Sequence, residues 1–194
     1  MYISKSQILL ILFCVAIILM AGCTSKPPVS KQELLTNTSG DPISVINETE
    51  ITWMSIPITD VITGRETSII ELASQGKPVI MHTFAVWCPA CSVQLRETKK
   101  LMLNNPDSFI ILGVDIDPRE NGDQVRNHIE KNKFAGMFVS APPDFSRSLM
   151  KTLGSQIIQS IPQTVIICNE SVTYIGDGAF PEGKLRTILS QICS

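Results

Sequence analysis

The pattern of apolar and polar positions divides the chain into three parts. Residues 8–20 form an unbroken apolar run, "ILLILFCVAIILM", with Lys5 the only charged side chain before it. Residues 24–49 carry Pro27-Pro28 and then Ser, Thr, Asn and Gly with little apolar periodicity, the composition of a spacer. From about Ile51 onward the pattern is that of a folded domain. Residues 55–72 read as two short strands around Thr63-Gly64, an N-terminal β-hairpin. Gln75-Gly76-Lys77-Pro78 is a turn signal. Residues 79–84, "VIMHTF", make a mostly apolar, β-rich run suited to a strand covered on both faces.

A helix is predicted from Pro89 to about Leu103, with Cys91, Leu95, Thr98 and Met102 on one face and Arg96, Glu97, Lys99 and Lys100 mostly away from it. Pro89 suits the first helical position, where its missing N–H would be unpaired anyway, and Asn104-Asn105-Pro106 ends the helix. Residues 108–116 read as a second buried strand, 123–131 as a helix with Val125 and Ile129 inward, and 137–140 as a short strand. Residues 144–153 read as a helix with Phe145, Leu149 and Leu153 inward. Residues 164–168 and 171–175 are strands joined by the turn Asn169-Glu170. From Pro181, Leu185, Ile188, Leu189 and Ile192 follow the i, i+3, i+4, i+7 spacing of an amphipathic helix. Alternating strands and helices predict an α/β domain, a mixed sheet flanked by helices on both faces.

Composition narrows the function. The 194 residues can bury a real core, and 44% apolar with 18% charged is globular. A formal net charge of -2 leaves no basic surface for nucleic acid.

The N-terminal run is shorter than the roughly 17–25 residues a transmembrane helix needs and has the length of a signal-peptide core. It ends in Met20-Ala21-Gly22-Cys23, which resembles a lipobox, with Met20 where Leu is usual. That resemblance implies a signal peptide over residues 1–22, a lipidated Cys23 followed by a flexible linker to residue 50, and a domain over residues 51–194 on the outer face of the cytoplasmic membrane. An uncleaved N-terminal anchor helix is the alternative and puts the domain on the same side. Asn37, Asn47 and Asn169 open N-x-S/T triplets, a pattern short enough to arise by chance.

Of six cysteines, Cys14 lies in the apolar run and Cys23 is assigned to the anchor. Cys88, Cys91, Cys168 and Cys193 remain, and a disulfide-permissive compartment allows three full pairings among them. The stretch from Phe84 to Cys91, "FAVWCPAC", carries the chemistry. A C-x-x-C where a strand gives way to a helix puts its first cysteine at the helix N-terminus. There, unpaired N–H groups and the macrodipole stabilise a thiolate. The second cysteine is about one turn deeper, near enough to close a disulfide and shielded from solvent. Cys88 is thus the nucleophile and Cys91 the resolving cysteine of a dithiol centre. Structural zinc would want a second pair or suitably spaced histidines, and only His82 and His128 are present. An inert staple is disfavoured because so short a loop removes little chain entropy.

"FAVWCPAC" after an apolar strand resembles the active site of the thioredoxin superfamily, and "SIPQTVII" (residues 160–167) resembles its second landmark, a cis-proline ahead of a strand. The segment upstream of Cys88 is similar to the entry segment of membrane-anchored, extracytoplasmic TlpA/ResA-like (redoxin) proteins. The resemblance covers residues 51–194 and implies a thioredoxin-like sheet. It also implies a cis Ile161-Pro162 bond beside Cys88, an Ile161 backbone that pairs with an extended substrate, and contacts to partners from Trp87 and Pro89. Many relatives carry a buried acid six positions before the first cysteine. His82 stands there, either a satisfied core residue or an acceptor for the Cys91 proton.

The activity implied is thiol–disulfide exchange with protein clients and a recycling partner, by a membrane-tethered monomer, with no metal or organic cofactor. Two other classes are weighed. A peroxiredoxin-type peroxidase wants a threonine and an arginine around its cysteine, and Thr83 lacks the usual spacing. A copper-binding chaperone of this fold resembles C-x-x-x-C with a distant histidine, not C-x-x-C. The direction of electron flow and any pairing of Cys168 with Cys193 stay open.

Overall fold

The structure is a computed structural model and describes residues 44–46, 52–168 and 171–193. The expected signal peptide, Cys23, Asn37, Asn47 and the Asn169-Glu170 turn lie outside the described residues. In chain order the elements are β1 (Ser44–Ile46), β2 (Ile58–Thr59), β3 (Glu66–Thr67), α1 (Ile69–Ala73), β4 (Val79–Phe84), α2 (Pro89–Asn104) and β5 (Ile110–Asp115). They continue with α3 (Gly122–Asn132), β6 (Met137–Ser140), α4 (Pro143–Leu153), α5 (Gln156–Gln159), β7 (Gln163–Cys168), β8 (Ser171–Asp177) and α6 (Glu182–Ile192). Among the described residues no helix is long and apolar enough to cross a membrane.

All six side chains of β4 are buried, because the strand lies inside a six-stranded sheet of order β1-β8-β7-β4-β5-β6. It runs parallel to β5 and antiparallel to β7, so the sheet is mixed. Alternation sends Val79 and Met81 to one face, where they pack with Trp53, Ile69, Leu72, Phe145, Leu149 and Ile157. Ile80 meets Leu101, Leu185 and Ile188, and Phe84 meets Leu95, Val125, Ile129 and Phe138. Hence α1, α4 and α5 cover one face and α2, α3 and α6 the other. Gly113, opposite His82 on β5, makes the second packing possible: a Cβ there would stand 2.4 Å from the Phe138 ring.

Three expectations need correction. The predicted hairpin exists as β2 and β3, but the second strand stops at Thr67. Ser68 then caps α1 with a complete capping box: its side chain accepts from Glu71 N, and Glu71 reaches back to Ser68 N. The spacer reading ran through residue 49, yet Ser44–Ile46 pairs antiparallel with β8 as an edge strand. Three residues, Ser44-Val45-Ile46, are too few to show a strand period within a Ser- and Thr-rich stretch. On α2 the buried face takes in Gln94 and Leu101, while Met102 is only half-buried.

The topology also sets where chemistry can occur. Parallel β4 and β5 end at the same edge of the sheet, with Phe84 opposite Asp115. Antiparallel β7 begins at that edge, with Gln163 opposite Thr83. The segments after Phe84, after Asp115 and before Gln163 therefore converge.

Candidate active site

The C-x-x-C stands at this convergence. Cys88 is the N-cap of α2, in extended backbone geometry, and Pro89 follows in the first turn. Cys88 Sγ accepts the Cys91 N–H at 3.1 Å, so an amide at the positive end of a helix points at the sulfur. Cys88 and Cys91 form a disulfide with Cα atoms 5.3 Å apart. The expected contrast between an exposed and a shielded cysteine is small in this oxidised state: Cys88 is 4% exposed and Cys91 1%. The first sulfur is covered because Val86 and Ile161 pack against the apolar cluster that holds both cysteines.

The Ile161-Pro162 peptide bond is cis, and the Ile161 carbonyl oxygen lies 3.9 Å from Cys88 Sγ. The sequence-predicted Cys88, Cys91, Ile161 and Pro162 thus come together. Gln163 supports this loop: its amide N–H donates to Thr83 Oγ1 at 3.2 Å, its side-chain Nε2 donates to the Ser160 carbonyl, and its Oε1 accepts from Tyr174. The Thr83 hydroxyl is therefore engaged within the sheet.

Trp87 flanks the disulfide and is 60% exposed, but its ring is not loose. Its Nε1–H donates to Asp117 Oδ2 at 2.7 Å. Arg119 grips the same carboxylate, Nε to Oδ1 at 2.9 Å and Nη2 to Oδ2 at 2.6 Å. Those Arg119 contacts, then the indole N–H, hold Asp117 well below the usual carboxylate range. Glu120, three residues on, accepts the Val86 N–H at 2.8 Å. Asp115 is buried at the end of β5, and burial first, then the neighbouring Glu120 carboxylate, pushes its carboxyl up to about 7. Asp115, Asp117 and Glu120 were not singled out from sequence. The signal was there in "GVDIDPRE": an acidic segment leaving a strand parallel to the one that leads into Cys88 must lie beside it.

His82 is fully buried under α2. Its Nδ1 pairs with Thr164 Oγ1 at 3.0 Å and its Nε2 with Thr98 Oγ1 at 2.8 Å. Thr98 donates to the Gln94 carbonyl and accepts from Gln94 Nε2, and Gln94 Oε1 accepts the Phe180 N–H. Burial lowers the His82 pKa to about 3, so the ring is neutral near pH 7. Both nitrogens are occupied by threonine hydroxyls, the arrangement of a satisfied core histidine.

At the opposite end of β7, Cys168 and Cys193 form a second disulfide, Cα atoms 5.7 Å apart, tying α6 to the sheet. Among the described residues, no group of three or more His, Cys, Asp or Glu side chains is arranged to hold a metal ion.

A thioredoxin-like sheet, a disulfide-forming C-x-x-C at a helix N-terminus and a cis-proline beside it define a thioredoxin-like thiol–disulfide oxidoreductase. The chain belongs to the redoxin family, whose profile matches residues 57–192. No curated protein matches the sequence. The fold is similar to that of the thioredoxin domain of a thiol-disulfide oxidoreductase from Bacteroides vulgatus (TM-score 0.57, 19% identity, 72% of this chain and 93% of that one). It is also similar to a secreted Mycobacterium tuberculosis disulfide oxidoreductase homologous to E. coli DsbE (TM-score 0.57, 15% identity, 72% and 98%). StoA from Bacillus subtilis is a third such structure (TM-score 0.51, 24% identity, 69% and 97%). At these identities the likeness is one of fold.

Proposed function

We propose that this oxidoreductase acts on protein thiols and disulfides outside the cytoplasm, tethered to the outer face of the cytoplasmic membrane through a lipid on Cys23. The observation that carries the chemistry is the Cys88 sulfur, held at a helix N-terminus against the Cys91 N–H and beside the Ile161 carbonyl. In the reducing direction the Cys88 thiolate attacks one sulfur of a client disulfide, forming a mixed disulfide and expelling the other sulfur as a thiolate. Cys91, deprotonated, then attacks Cys88 Sγ, which breaks the mixed disulfide and frees the second client thiolate. The client gains two electrons and two protons, and the Cys88–Cys91 dithiol becomes a disulfide; the reverse sequence oxidises a dithiol client. The sulfurs carry the electrons, so the exchange needs no metal or organic cofactor. Ile161 offers its backbone and Trp87 and Pro89 their side chains to the client, and a separate partner restores the starting redox state.

Three features support the location. The apolar run ends in the lipobox-like Met20-Ala21-Gly22-Cys23. The second disulfide, Cys168–Cys193, suits an oxidising compartment. One structural relative is itself described as secreted.

The test is trapping. Cys91→Ser should accumulate a mixed disulfide with client proteins through Cys88, and Cys88→Ser should not; equal trapping by both would overturn the assignment. Equilibration with a glutathione buffer sets the direction: a potential near about -270 mV reads as reducing and one near about -120 mV as oxidising. Fatty-acid labelling that vanishes in Cys23→Ser supports the anchor, and labelling that persists refutes it.

A further inference from the structure

We propose that Asp177 is a specificity-determining residue that favours clients with a basic residue within two positions of the reactive cysteine, an inference that rests on the oxidoreductase reading. The strand order β8-β7-β4-β5 fixes what borders the client. At the site edge β8 ends in Asp177, opposite Gln163 at the start of β7, and β5 ends in Asp115, opposite Phe84 at the end of β4. The cis-proline loop leads into β7 and the Cys88 turn leaves β4, so both stand over the two middle strands. Adjacent strands are about 4.8 Å apart, which separates the outer two by roughly 14 Å, the span of about four extended residues. A client segment of that length laid over Cys88 reaches Asp177 at one end and Trp87 at the other.

The two borders differ in charge. On the Trp87 side, Asp117 is neutralised by Arg119, whose Nη2 lies 2.6 Å from Oδ2. Asp177 is exposed, and among the described residues no Lys, Arg or His stands within ion-pair distance of it. Its Oδ2 accepts the hydroxyl of Ser160, the residue before Ile161, at 3.3 Å. The next amide, Gly178 N–H, donates to the Pro162 carbonyl at 3.0 Å. The carboxylate is thus pinned beside the loop whose Ile161 carbonyl lies 3.9 Å from Cys88 Sγ.

The segments around it bring no second charge. Residues 85–95, which carry the Cys88 turn and the first turns of α2, contain no Lys, Arg, His, Asp or Glu, and neither do residues 155–163. Within residues 176–181 Asp177 is the only charged side chain. The first cation after it, Lys184, has its ammonium over the Phe180 ring, 4.8 Å from the centroid. A lysine or arginine on this side of the client therefore meets a carboxylate with no cation beside it, and an acidic residue meets a like charge.

The experiment measures second-order exchange rates of the full chain with disulfide-bonded peptides that differ in a single residue. That residue is Lys or Glu, placed two positions before or two positions after the reactive cysteine, and each rate is normalised to the peptide's reaction with dithiothreitol. At one of the two positions Lys should exceed Glu about fivefold at low salt, the scale of one exposed ion pair gained and one repulsion removed. The ratio should approach one in about 1 M salt, where the Debye length is about 3 Å. Asp177→Asn, which still offers Ser160 an acceptor oxygen, should bring the ratio near one at low salt, and Asp177→Lys should invert it. Ser160→Ala, which removes the hydroxyl and keeps the carboxylate, should retain the preference for Lys. A wild-type ratio near one at both positions overturns the proposal, as does an Asp177→Asn that keeps the wild-type ratio or an equal preference at both positions. If Asp177→Asn does not fold, the inversion in Asp177→Lys and the salt dependence decide. A wild-type protein that exchanges none of the peptides would instead overturn the oxidoreductase reading.

Discussion

The Trp87 indole and the Asp117 carboxylate are joined by a 2.7 Å hydrogen bond, so the most exposed aromatic ring beside the disulfide is also a fixed one. A ring ordered before a client arrives does not have to be ordered on binding, and this favours affinity. Asp117→Ala should therefore raise KM for a protein client about three- to tenfold and change kcat little, the effect of roughly 1 kcal/mol. Glutathione disulfide, too small to span the ring, should be turned over as before. Fluorescence gives an independent check: of the two tryptophans Trp53 is fully buried, so quenching by acrylamide reports Trp87 and should increase in the variant. Unchanged quenching and KM would dismiss the role. Because Arg119 holds Asp117 well below the ordinary carboxylate range, the contact should survive acidification to about pH 4, the usual aspartate value.

His82 makes a different prediction, one about stability. In the folded protein its pKa is lowered to about 3 by burial, against 6.5 for a free imidazole. Above pH 6.5 the ring is neutral both folded and unfolded, and its contribution to stability is complete. Between 6.5 and about 3 the unfolded chain binds a proton that the native protein does not, so stability falls as pH falls. The slope approaches about 1.4 kcal/mol per pH unit from this residue alone. Urea unfolding across that range should show the slope, and His82→Leu should reduce it while losing stability near pH 7 through the stranded Thr164 hydroxyl, since Thr98 keeps its bonds to Gln94. Resolution of the mixed disulfide should be unchanged in a folded His82→Leu; a fall in that step would make His82 the proton acceptor.

How far the sequence discloses this site depends on the range of the signal. The dithiol was legible because the strand, the two cysteines and the proline that opens α2 are contiguous, and Ile161-Pro162 because it precedes an apolar strand. The central strands were legible for the same reason: Val79–Phe84 is buried on both faces and reads as a mostly apolar, β-rich run. Helix α1 was missed because its five residues are too few for periodicity, although Ser68 and Glu71 spell out a capping box. The Asp117–Trp87 and Glu120–Val86 contacts span about thirty residues and become visible only once β4 and β5 are known to be parallel neighbours. Cys88 is more covered than a place at a helix N-terminus suggests, because Ile161, which packs against the same apolar cluster, arrives from a segment 73 residues away.

The Cys168–Cys193 bridge should act on stability and leave exchange alone. It closes a loop of 25 residues between β7 and the end of α6, where Cys193 packs with Ile192 and Leu189 against the sheet. Constraining a loop of this length in the unfolded chain stabilises a domain by roughly 2–4 kcal/mol. A Cys168→Ala/Cys193→Ala variant should therefore unfold at lower urea concentration, with exchange at Cys88 and Cys91 as in the wild type. Both proteins keep the reducible Cys88–Cys91 pair, so reduction of the second bridge should lower the wild-type unfolding midpoint by more than reductant changes that of the variant. Equal midpoints for the two oxidised proteins would show that the bridge contributes nothing.

The last prediction concerns the loop that faces Cys88. Ile161 can present its backbone to a client only if Ser160 and Gln163, on either side of the cis bond, keep it in place. The Ser160 carbonyl is engaged by the Gln163 side-chain amide, and that amide is oriented by the Tyr174 hydroxyl from the neighbouring strand β8. Ser160 Oγ also donates to Asp177 at 3.3 Å, and the Gly178 N–H donates to the Pro162 carbonyl at 3.0 Å, so β8 and its end hold the loop at several points. Burial raises the Tyr174 pKa above its ordinary value, so the phenol remains a donor throughout the neutral range. Tyr174→Phe removes one donor and leaves the ring packing. It should lower stability by only about 0.5–1.5 kcal/mol, yet slow exchange with a peptide disulfide severalfold, because the Ile161 edge is no longer held for pairing. Gln163→Ala should slow it further, and the double variant should be no slower than Gln163→Ala, since Tyr174 acts through Gln163. Rapid-mixing kinetics on the three variants would test this ordering; wild-type rates in Gln163→Ala would remove the loop from any role in client pairing.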